Sequence, residues 1–554
     1  MQIIWIAACA LALCIYVGWG AAHLALPKAL HPQVALFIPL VGYAITIWLG
    51  YLGVSSVLNL RWSLALLLAL ASALNVLAWR RGTRPHPLAT LREHAAPLAL
   101  FALTLLIGVL PLLHYGYATT IGEGWDTESY FPLAQHLNDY ALAQIPDAPI
   151  SPMRGLISKP PAIGVTLGYS VFQGMTMLLS GQTVLATFAP LLALLRALGV
   201  LASYTWLRAT MGLSRAAALL AATLISAGAL LLWVGYFNFA MQLAGWPLLA
   251  LGLALGVAGV EALAATTDEG QRTKDEGQRT ESHGSPHSSF VFGRPSRIGV
   301  ALLTAITLAA LPVAYYPALT FWVPLAAGLG AALVIEQALT SQGARAVVRL
   351  LLAALALSAL TLALATPTIL DYFKGFSFRY SLPAPHVGPA RFIAISETLG
   401  LQAFRLPDDG PQTPTALVWA ASVLVGLLVV AGLVLPANDQ GRTTKDEESA
   451  HLSCLVVRPS SAFRLRWLGV LAATVAYLAW LRFGQAYQYG YMKGSAYAGL
   501  VAWGAVALGA QALWRRAGRH ARVALAGLLA LLLLTTAWAQ ALTIGDHWSG
   551  PANF

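Results

Sequence analysis

Charged side chains are scarce in this sequence. Lys, Arg, Asp and Glu together make up 10% of its 554 residues, whereas soluble domains carry roughly 25%. Hydrophobic residues make up 58%, and the mean hydropathy is +0.69. This balance excludes an ordinary soluble domain and predicts an all-α polytopic membrane protein. The net charge of +11 does not indicate a nucleic-acid partner, because Lys and Arg collect in the cytoplasmic loops of membrane proteins.

Cysteine is nearly absent as well. Of the three cysteines, Cys9 and Cys14 lie in the first apolar segment and Cys454 lies in a basic stretch, so no disulfide framework follows. The Cys and His residues also lack the spacing of a metal site. The first twenty residues have no basic start, which favours a retained helix over a cleaved signal peptide.

Long apolar runs dominate the chain instead. A membrane-spanning helix needs about 20 predominantly apolar residues. Fourteen segments meet this requirement: 3–22, 34–58, 62–79, 97–113, 183–207, 215–234, 241–263, 298–316, 319–338, 346–366, 414–435, 466–483, 495–515 and 522–542. A fifteenth segment, 162–180, decides the topology.

The distribution of arginine assigns the two sides of the membrane. Four arginines place loop 80–96 in the cytoplasm, so loop 114–182 lies outside. If 162–180 does not span, later basic clusters also face the cytoplasm: 208–215, 345–349, 464–466 and 515–522. Glycines and hydroxyl groups weaken 162–180 as a span, so we predict an interfacial helix, or a re-entrant one buried against protein. Both termini are then predicted outside a plasma membrane.

Two cytoplasmic stretches have the composition of insertions. Residues 268–280 read DEGQRTKDEGQRT, a direct duplication, and 439–448 read DQGRTTKDEE. Their polarity predicts disorder, and a neutral insertion is favoured over a tail for a partner. The predicted organisation is a three-helix extension (1–96), a core (97–263), an insertion (264–297), helices (298–435), a second insertion (436–465) and C-terminal helices (466–554).

The few acidic residues concentrate in one external loop. Of 22 in the chain, five fall between Thr119 and Pro161: Glu123, Asp126, Glu128, Asp139 and Asp147. Asp126 and Glu128 flank Thr127, which is predicted to cap a short helix whose exposed amides favour carboxylates. The two acids are then either helix-end and solvated charges, or a general base and ligands of Mg²⁺ or Mn²⁺.

The far end of this loop reads Ser158-Lys159-Pro160-Pro161. The proline pair forces extended backbone and ends any preceding helix, which holds Lys159 near the membrane interface. Lys159 and Arg154 are therefore candidate partners of a lipid phosphate. Snorkelling of both side chains towards lipid headgroups is the alternative.

Two further external stretches carry groups suited to the same chemistry. Loop 367–413 contains Arg379 and Arg391, and arginine binds phosphate oxygens through two parallel hydrogen bonds. Residues 482–497 interleave tyrosines with a lysine: Tyr487, Tyr489, Tyr491 and Lys493. The tyrosines suit sugar stacking and the lysine suits phosphate binding, although tyrosine belts are also common at membrane interfaces.

Asn238 and Gln242 bracket another external turn. Their amides either line a donor cavity or form hydrogen bonds between helices, which is the commoner use of such residues in membranes.

The order of these features resembles the GT-C superfamily of integral-membrane glycosyltransferases. A membrane helix is followed by a loop with Asp126 and Tyr130, then by Lys159-Pro-Pro. An interfacial helix ending near Gly181 and a long helix running into the basic turn at 204–215 come next. The order is most similar to the branch of the protein O-mannosyltransferases and the lipid A aminoarabinose transferase, and it covers about 97–263.

The resemblance implies a GT-C-like fold, a polyprenyl-phosphate-linked sugar as donor, a lipid, glycan or protein as acceptor, and catalysis at the outer interface. It implies that Asp126 is the catalytic residue and that Lys159 approaches the lipid phosphate, and Tyr130 is a candidate for the sugar or acceptor cavity. That branch usually has adjacent Asp and Glu, whereas this sequence has Asp-Thr-Glu, which leaves the role of Glu128 open. Residues 1–96 are an extension that the resemblance does not explain.

Two other functions stay open on the sequence. One is a flippase for lipid-linked saccharides or another transporter, and the other is a non-catalytic partner in a cell-envelope pathway. Transporters usually place ionisable residues near the membrane midplane and show internal repeats. The predicted spans are nearly free of charge apart from Arg196 and Glu336, and no two-fold repeat is visible. Both observations favour the transferase.

Overall fold

The computed structural model describes residues 1–82, 92–122, 127–144, 166–265, 297–339, 343–381, 392–403, 413–435 and 460–548. Within these ranges, the side chains of Lys28, Glu128, Ser129, 371–381 and 460–462 lie outside the description. Regular structure in the described ranges is helical, without a β-strand.

Seventeen α-helices follow one another along these ranges. They are α1 (Gln2–Ala25), α2 (Val34–Ser55), α3 (Leu60–Arg80), α4 (Ala95–Tyr115), α5 (Thr127–Asp139), α6 (Gly168–Ser180), α7 (Val184–Ala209), α8 (Arg215–Ala227), α9 (Ala229–Tyr236), α10 (Ala240–Ala264), α11 (Arg297–Ala338), α12 (Gly343–Ser381), α13 (Ile395–Thr398), α14 (Thr415–Val434), α15 (Ser460–Ala479), α16 (Gln488–Arg516) and α17 (Arg519–Asp546).

Most of these helices are long and apolar enough to cross a membrane. Twelve in the described chain meet that description, and the bent pair α8 and α9 makes a thirteenth span if it is counted as one. The pair is bent by 46°. A hydrocarbon layer offers no hydrogen-bond partners to the backbone. A helix satisfies its own backbone hydrogen bonds, so apolar spans of this kind are helical. The prediction of an all-α polytopic membrane protein is confirmed.

Helix α11 is two spans in one continuous run. Its 42 residues would extend about 63 Å if straight, roughly twice the thickness of a bilayer core. The backbone breaks at Tyr315, where φ is −163° and ψ is 97°. Gly252 of α10 lies against both Leu308, before the break, and Trp322, after it. Both legs therefore lie along α10, and they correspond to the predicted spans 298–316 and 319–338.

The two ends of the described chain lie on the same side of the helix bundle. Ile3 in the first turn of α1 packs in one cluster with Leu112 near the end of α4 and with Ile121, and Ile544 near the end of α17 packs against that cluster. The Trp5 indole N–H donates to the carbonyl of Ser180 at 3.0 Å, next to the start of α7. We call this side the loop face. Both termini are thus placed beside the described parts of the predicted external loop.

Arg466 joins helix ends on the opposite side, which we call the basic face. Its guanidinium donates to the two carboxylate oxygens of Glu336 in α11 at 2.8 and 3.0 Å, and to Glu261 in α10 at 3.3 Å. It also donates to the carbonyl of Thr210, directly after α7, at 3.0 Å. The sequence analysis grouped Arg466 with the arginines that set topology. The structure shows instead a buried ion pair that fastens α15 to three other helices.

Burial is concentrated in two central helices. In α7 and α10, 89% and 83% of the most apolar stretch is buried, whereas in α12 the share is 17%. The outer helices expose Leu and Val side chains, among them Leu355, Leu362 and Val430. Lipid tails are as apolar as leucine, so this exposure carries no hydrophobic penalty in a membrane.

Helix α6 belongs to the segment 162–180 that the sequence predicted not to span. Its 13 residues extend about 20 Å, less than a bilayer core, and nearly all of them are buried. Gly168 lies against Ala314 of α11, and Gly174 lies against Asn138 of α5. The glycines that weaken this segment as a span therefore serve close packing against protein, and the prediction agrees with the described part, 166–180.

Replacing Arg466 with methionine is expected to destabilise the protein strongly. The variant leaves the Glu336 carboxylate buried without the guanidinium that now donates two hydrogen bonds to it. Breaking one partner of a buried ion pair costs about 3–5 kcal/mol. Thermal unfolding of the purified protein in detergent measures the expected fall in Tm.

Arg61→Met is the matched control for this experiment. Arg61 pairs with Asp139 at 2.8 Å, but the two side chains are 64% and 44% exposed. Exposed ion pairs contribute about 0–1 kcal/mol, so this Tm should stay close to that of the unaltered protein. Equal Tm values for the two variants would show that Arg466 does not hold the helix ends together.

Candidate functional site

Most of the predicted catalytic and phosphate-binding residues lie outside the described ranges. These are Asp126, Arg154, Lys159 and Arg391. For Glu128 and Arg379 the structure describes the backbone, in α5 and α12, but not the side chain. The described site is therefore built from the predicted tyrosines, from Lys493 and from residues that border the missing stretches.

Gly122 and Thr127 border the stretch that holds Asp126. Gly122 has a φ of +65°, and a side chain there would meet the carbonyl oxygen of Tyr236 and the ring of His547. Only glycine suits both the conformation and the close approach. Thr127 is itself the first residue of α5, not its cap, a difference of one position that is usual at helix ends. Glu128 then lies in the first turn, where exposed amides favour a carboxylate.

Helix α5 carries Tyr130 into the protein core. Its Leu133 and Leu137 are fully buried. The ring centroid of Tyr130 lies 5.8 Å from that of Tyr169 and 6.4 Å from that of Phe188, within the range of favourable aromatic pairs. The helix that follows Asp126 is thus held in position by its packing against the protein core.

His136 is a buried titratable group of α5. One face of its ring stacks on Tyr140, with centroids 5.2 Å apart, and its Nε2–H donates to the carbonyl of Ala141 at 3.3 Å. Burial lowers the pKa of His136 below its usual range, and the Ala141 hydrogen bond and the Asp139 charge oppose that shift only in part. The folded protein therefore favours the neutral imidazole.

A lysine surrounded by aromatic rings lies at the loop face. The Nζ of Lys493 stands 4.2 Å from the ring centroid of Tyr489, 4.7 Å from that of Phe239 and 5.4 Å from that of Tyr315. A cation within about 6 Å of an aromatic centroid is attracted to the face of the ring. We call these four residues the aromatic cage. The rings orient the ammonium group without neutralising its positive charge.

Three helices meet at the aromatic cage. Lys493 lies in the second turn of α16, Phe239 precedes α10 directly, and Tyr315 marks the break in α11. The Gln242 side-chain amide donates to the carbonyl of Lys493 at 3.2 Å, and the Tyr497 hydroxyl donates to the carbonyl of Gln242 at 2.7 Å. These two bonds tie α10 to α16. Of the two roles that the sequence allowed for Gln242, lining a cavity or joining helices, the structure shows a hydrogen bond that joins helices.

Several buried polar atoms near the cage have no hydrogen-bond partner within the described part of the chain. They are the hydroxyl of Tyr315, Oδ1 of Asn238 and Oε1 of Gln242. Asn238 also has a left-handed backbone with φ of 61°, which asparagine adopts more readily than most residues. Leaving a buried polar atom unpaired costs about 1–3 kcal/mol. Similar atoms occur elsewhere in the described chain, but these three lie next to the Lys493 cation, where a bound polar ligand would satisfy them.

Three predicted tyrosines gather in this region. The hydroxyl of Tyr315 lies within electrostatic range of those of Tyr130, Tyr487 and Tyr489. The ring centroids of Tyr487 and Tyr489 are 6.4 Å apart, and Tyr487 is half exposed. Residues from α5 and from the start of α16, far apart in the sequence, therefore lie near the same break in α11.

Tyr491 packs in a different group. It is buried, with its ring centroid 5.4 Å from that of Phe392. The Arg482 guanidinium lies 5.3 Å from the Phe392 ring and 5.7 Å from the Tyr491 ring. Since Phe392 directly follows Arg391 in the sequence, the segment 392–403 begins against α16.

Sequence reasoning did not find Phe239 or Tyr315 as members of the site. A signal for Tyr315 exists, because it stands between Pro312 and Pro317 in an otherwise apolar run. Prolines mark breaks in helices, and a tyrosine at such a break between two spans lies near a membrane interface. Phe239 has no comparable signal, since one more aromatic residue in an apolar stretch is unremarkable.

The structure leaves the metal prediction untested. The described residues contain no group of three or more His, Cys, Asp or Glu side chains that could hold a metal ion. Asp126 and the side chain of Glu128 lie outside that search.

No protein-family model and no curated protein sequence matches this chain. Among solved structures it is similar to the archaeal oligosaccharyltransferase AglB from Archaeoglobus fulgidus, in complex with an inhibitory peptide and a dolichol-phosphate. The identity is 13% and the TM-score 0.45, over 82% of this chain and 56% of that chain. An apo form of the A. fulgidus oligosaccharyltransferase gives a TM-score of 0.41 at the same identity and coverage. The chain thus spans a little over half the length of these proteins, and similarity at this level assigns no function.

The stability of the protein is expected to fall as the pH drops below about 6.5, the usual pKa of histidine. Because the pKa of His136 is lowered in the folded state, its stabilising contribution is complete above the unfolded pKa and is lost as the pH falls through the folded one. His136→Gln should therefore flatten the acid limb of a plot of Tm against pH. His520→Gln, at an exposed position in α17, should keep the full slope. A variant at position 136 with the unaltered slope would contradict this assignment.

Proposed function

We propose that this protein is a membrane glycosyltransferase that moves a sugar from a polyprenyl-phosphate-linked donor to an acceptor at the loop face. In this proposal the loop face is the outer side of a plasma membrane. The observation that carries it is the aromatic cage, in which the Lys493 Nζ lies 4.2 Å from the ring centroid of Tyr489 and 5.4 Å from that of Tyr315. The sequence predicts Tyr489 for sugar stacking and Lys493 for phosphate binding, and both residues belong to the cage.

The chain also returns to this region after the stretch that holds Lys159. Thr166, the first residue described after that stretch, donates its hydroxyl hydrogen to the carbonyl of Ala314 at 3.0 Å. Ala314 directly precedes Tyr315 of the aromatic cage. The external loop therefore ends beside the cage, which supports a shared role for its Lys159 and the cage lysine.

The aromatic cage suits the headgroup of a phosphate-linked sugar. Lys493 supplies a positive charge for the phosphate, and its three rings hold that charge at one place. Tyrosine rings pack against the C–H face of a sugar, while phenol and amide groups hydrogen-bond to its hydroxyls. The apolar lipid tail of the donor stays in the bilayer, so that only the headgroup reaches the loop face.

The proposed reaction inverts the configuration at the anomeric carbon. A hydroxyl or amine of the acceptor attacks that carbon while its bond to the phosphate oxygen breaks. Asp126 accepts the proton of the attacking group, and the bonding electrons leave with the polyprenyl phosphate. Lys493 stabilises the negative charge of that leaving group. Further cations predicted to reach it are Lys159, Arg154, Arg379 and Arg391.

A flippase for lipid-linked saccharides is the second candidate, because of Arg196. This residue lies near the middle of α7, is 1% exposed, and has two guanidinium nitrogens without a partner in the described chain. Buried charges and broken helices mark transport pathways in membranes. However, Arg196 and Gln540 both donate to the carbonyl of Ser226, where α8 ends. This use as a cap for a broken helix favours a structural role.

Asp126→Asn is expected to lower the rate of sugar transfer by roughly 10²- to 10⁴-fold, since an amide cannot accept the proton of the acceptor. The measurement is transfer in membranes, or in proteoliposomes of the purified protein, supplied with polyprenyl-phospho-sugars. Pretreatment with EDTA in the same assay tests whether Asp126 and Glu128 hold a divalent cation.

Asp139→Asn is the matched control, because Asp139 is an exposed acid at the end of α5 that pairs with Arg61. Its transfer rate should equal that of the unaltered protein. Full activity of the Asp126 variant would refute the catalytic assignment. Translocation of the intact lipid-linked donor without any transfer would establish the flippase instead.

Lys493→Met is expected to lower kcat/KM for the lipid-linked donor by roughly 10- to 100-fold, the effect of losing one charge-assisted hydrogen bond. Lys493→Arg keeps the charge and should recover part of the activity. Arg61→Met removes a positive charge at the same face without touching the cage, and its kinetics should be unchanged. Equal losses in the Met and Arg variants would show that the residue acts through packing and not through its charge.

A further inference from the structure

A groove opens on the basic face where α16 turns into α17. Its volume is about 380 Å³, and it is lined by Trp514, Ala517, Gly518, Arg519, Arg522, Val523 and Ala526. The two helices are membrane spans that end at Arg516 and begin at Arg519. The groove therefore lies where the bilayer meets water on this side.

The groove is strongly positive. Arg519 and Arg522 line it, and Arg515 and Arg516 belong to the same turn. The sequence contains no Asp or Glu between Glu448 and Asp546, so the turn itself places no carboxylate beside Arg519 and Arg522. The Arg522 Nε–H donates to the carbonyl of Trp514 at 3.1 Å, and the guanidinium lies over the indole at 5.9 Å. These contacts fix one arginine against the groove wall.

The groove changes from polar to apolar along α17. Its first turn presents Arg519 and Arg522, and no side chain caps its exposed amides at Gly518. Uncapped amides at the start of a long helix attract anions. Val523 and Ala526 continue the groove wall towards the membrane interior. A ligand that fits this gradient has an anionic headgroup and an apolar tail.

We propose that this groove binds an anionic phospholipid from the leaflet on the basic face. Arg519, Arg522 and the first amides of α17 hold the phosphate, and the acyl chains lie along Val523 and Ala526. Basic residues in any cytoplasmic loop help to set the orientation of a membrane protein. Two arginines on an apolar groove wall form in addition a pocket of the kind that binds lipid headgroups between membrane helices.

Native mass spectrometry of the full chain tests this proposal. The purified protein is titrated in detergent with phosphatidylglycerol, and phosphatidylcholine with the same acyl chains serves as the neutral reference. We expect phosphatidylglycerol to bind more tightly. Arg519→Gln combined with Arg522→Gln should weaken its binding about tenfold or more, because each arginine near a lipid surface contributes a separate attraction.

Arg515→Gln combined with Arg516→Gln is the control, because it removes the same charge from the same turn without touching the groove. Its affinity for phosphatidylglycerol should stay within about twofold of the unaltered value, as for contacts at the rim of a binding site. Equal weakening in both double variants would show diffuse attraction and overturn the site. Equal binding of phosphatidylglycerol and phosphatidylcholine would also overturn the site. Displacement of phosphatidylglycerol by inorganic phosphate at a similar concentration would do the same. The experiment does not involve sugar transfer, so its result is independent of the catalytic proposal.

Discussion

A hydrocarbon interior offers no partner to a carbonyl, an amide or a charge, and this constraint governs the irregular points of the structure. Where α8 stops at Ser226, Arg196 and Gln540 donate to the exposed carbonyl. Where α7, α10 and α11 reach the basic face, one guanidinium of Arg466 serves all three of their ends. Charged side chains are costly to bury in a membrane protein. Here the few that are buried bind groups at the places where helices break or end.

The region around the aromatic cage departs from this rule. Here Tyr315, Asn238 and Gln242 keep buried polar atoms that no described residue satisfies, and the cation of Lys493 lies over the rings of Phe239 and Tyr489. The departure coincides with the side on which the acidic loop leaves and rejoins the helices. Other buried polar atoms without a described partner lie elsewhere, as in Arg196 and Thr46, but those of Tyr315, Asn238 and Gln242 lie together beside a cation, where a hydroxylated, charged substrate would find both.

Sequence reasoning was successful for the spans and less so for the site. Hydropathy acts locally and adds along the chain, so the membrane-spanning helices can be predicted from the sequence segment by segment. The role of Arg466 and the closeness of Tyr315 to Lys493 depend on which helices become neighbours, and composition does not contain that information. The glycines of α6 illustrate the difference. Their presence correctly predicted that the segment does not span the membrane, but only the structure shows that they contact α5 and α11. Asp126 stays a prediction from motif order.

The ion cluster of Arg466 also bears on how this chain tolerates change. Glu261 ends α10 just before the connection that contains the duplicated DEGQRT stretch, and Arg466 lies in the second turn of α15, which follows the connection that contains its relative. Doubling the length of a flexible connection adds only about 0.6 kcal/mol to the cost of closing it. Helices that are clamped to one another at their ends therefore do not depend on the length of the chain between them. A change in the number of these repeats is therefore compatible with the same contact between α10 and α15.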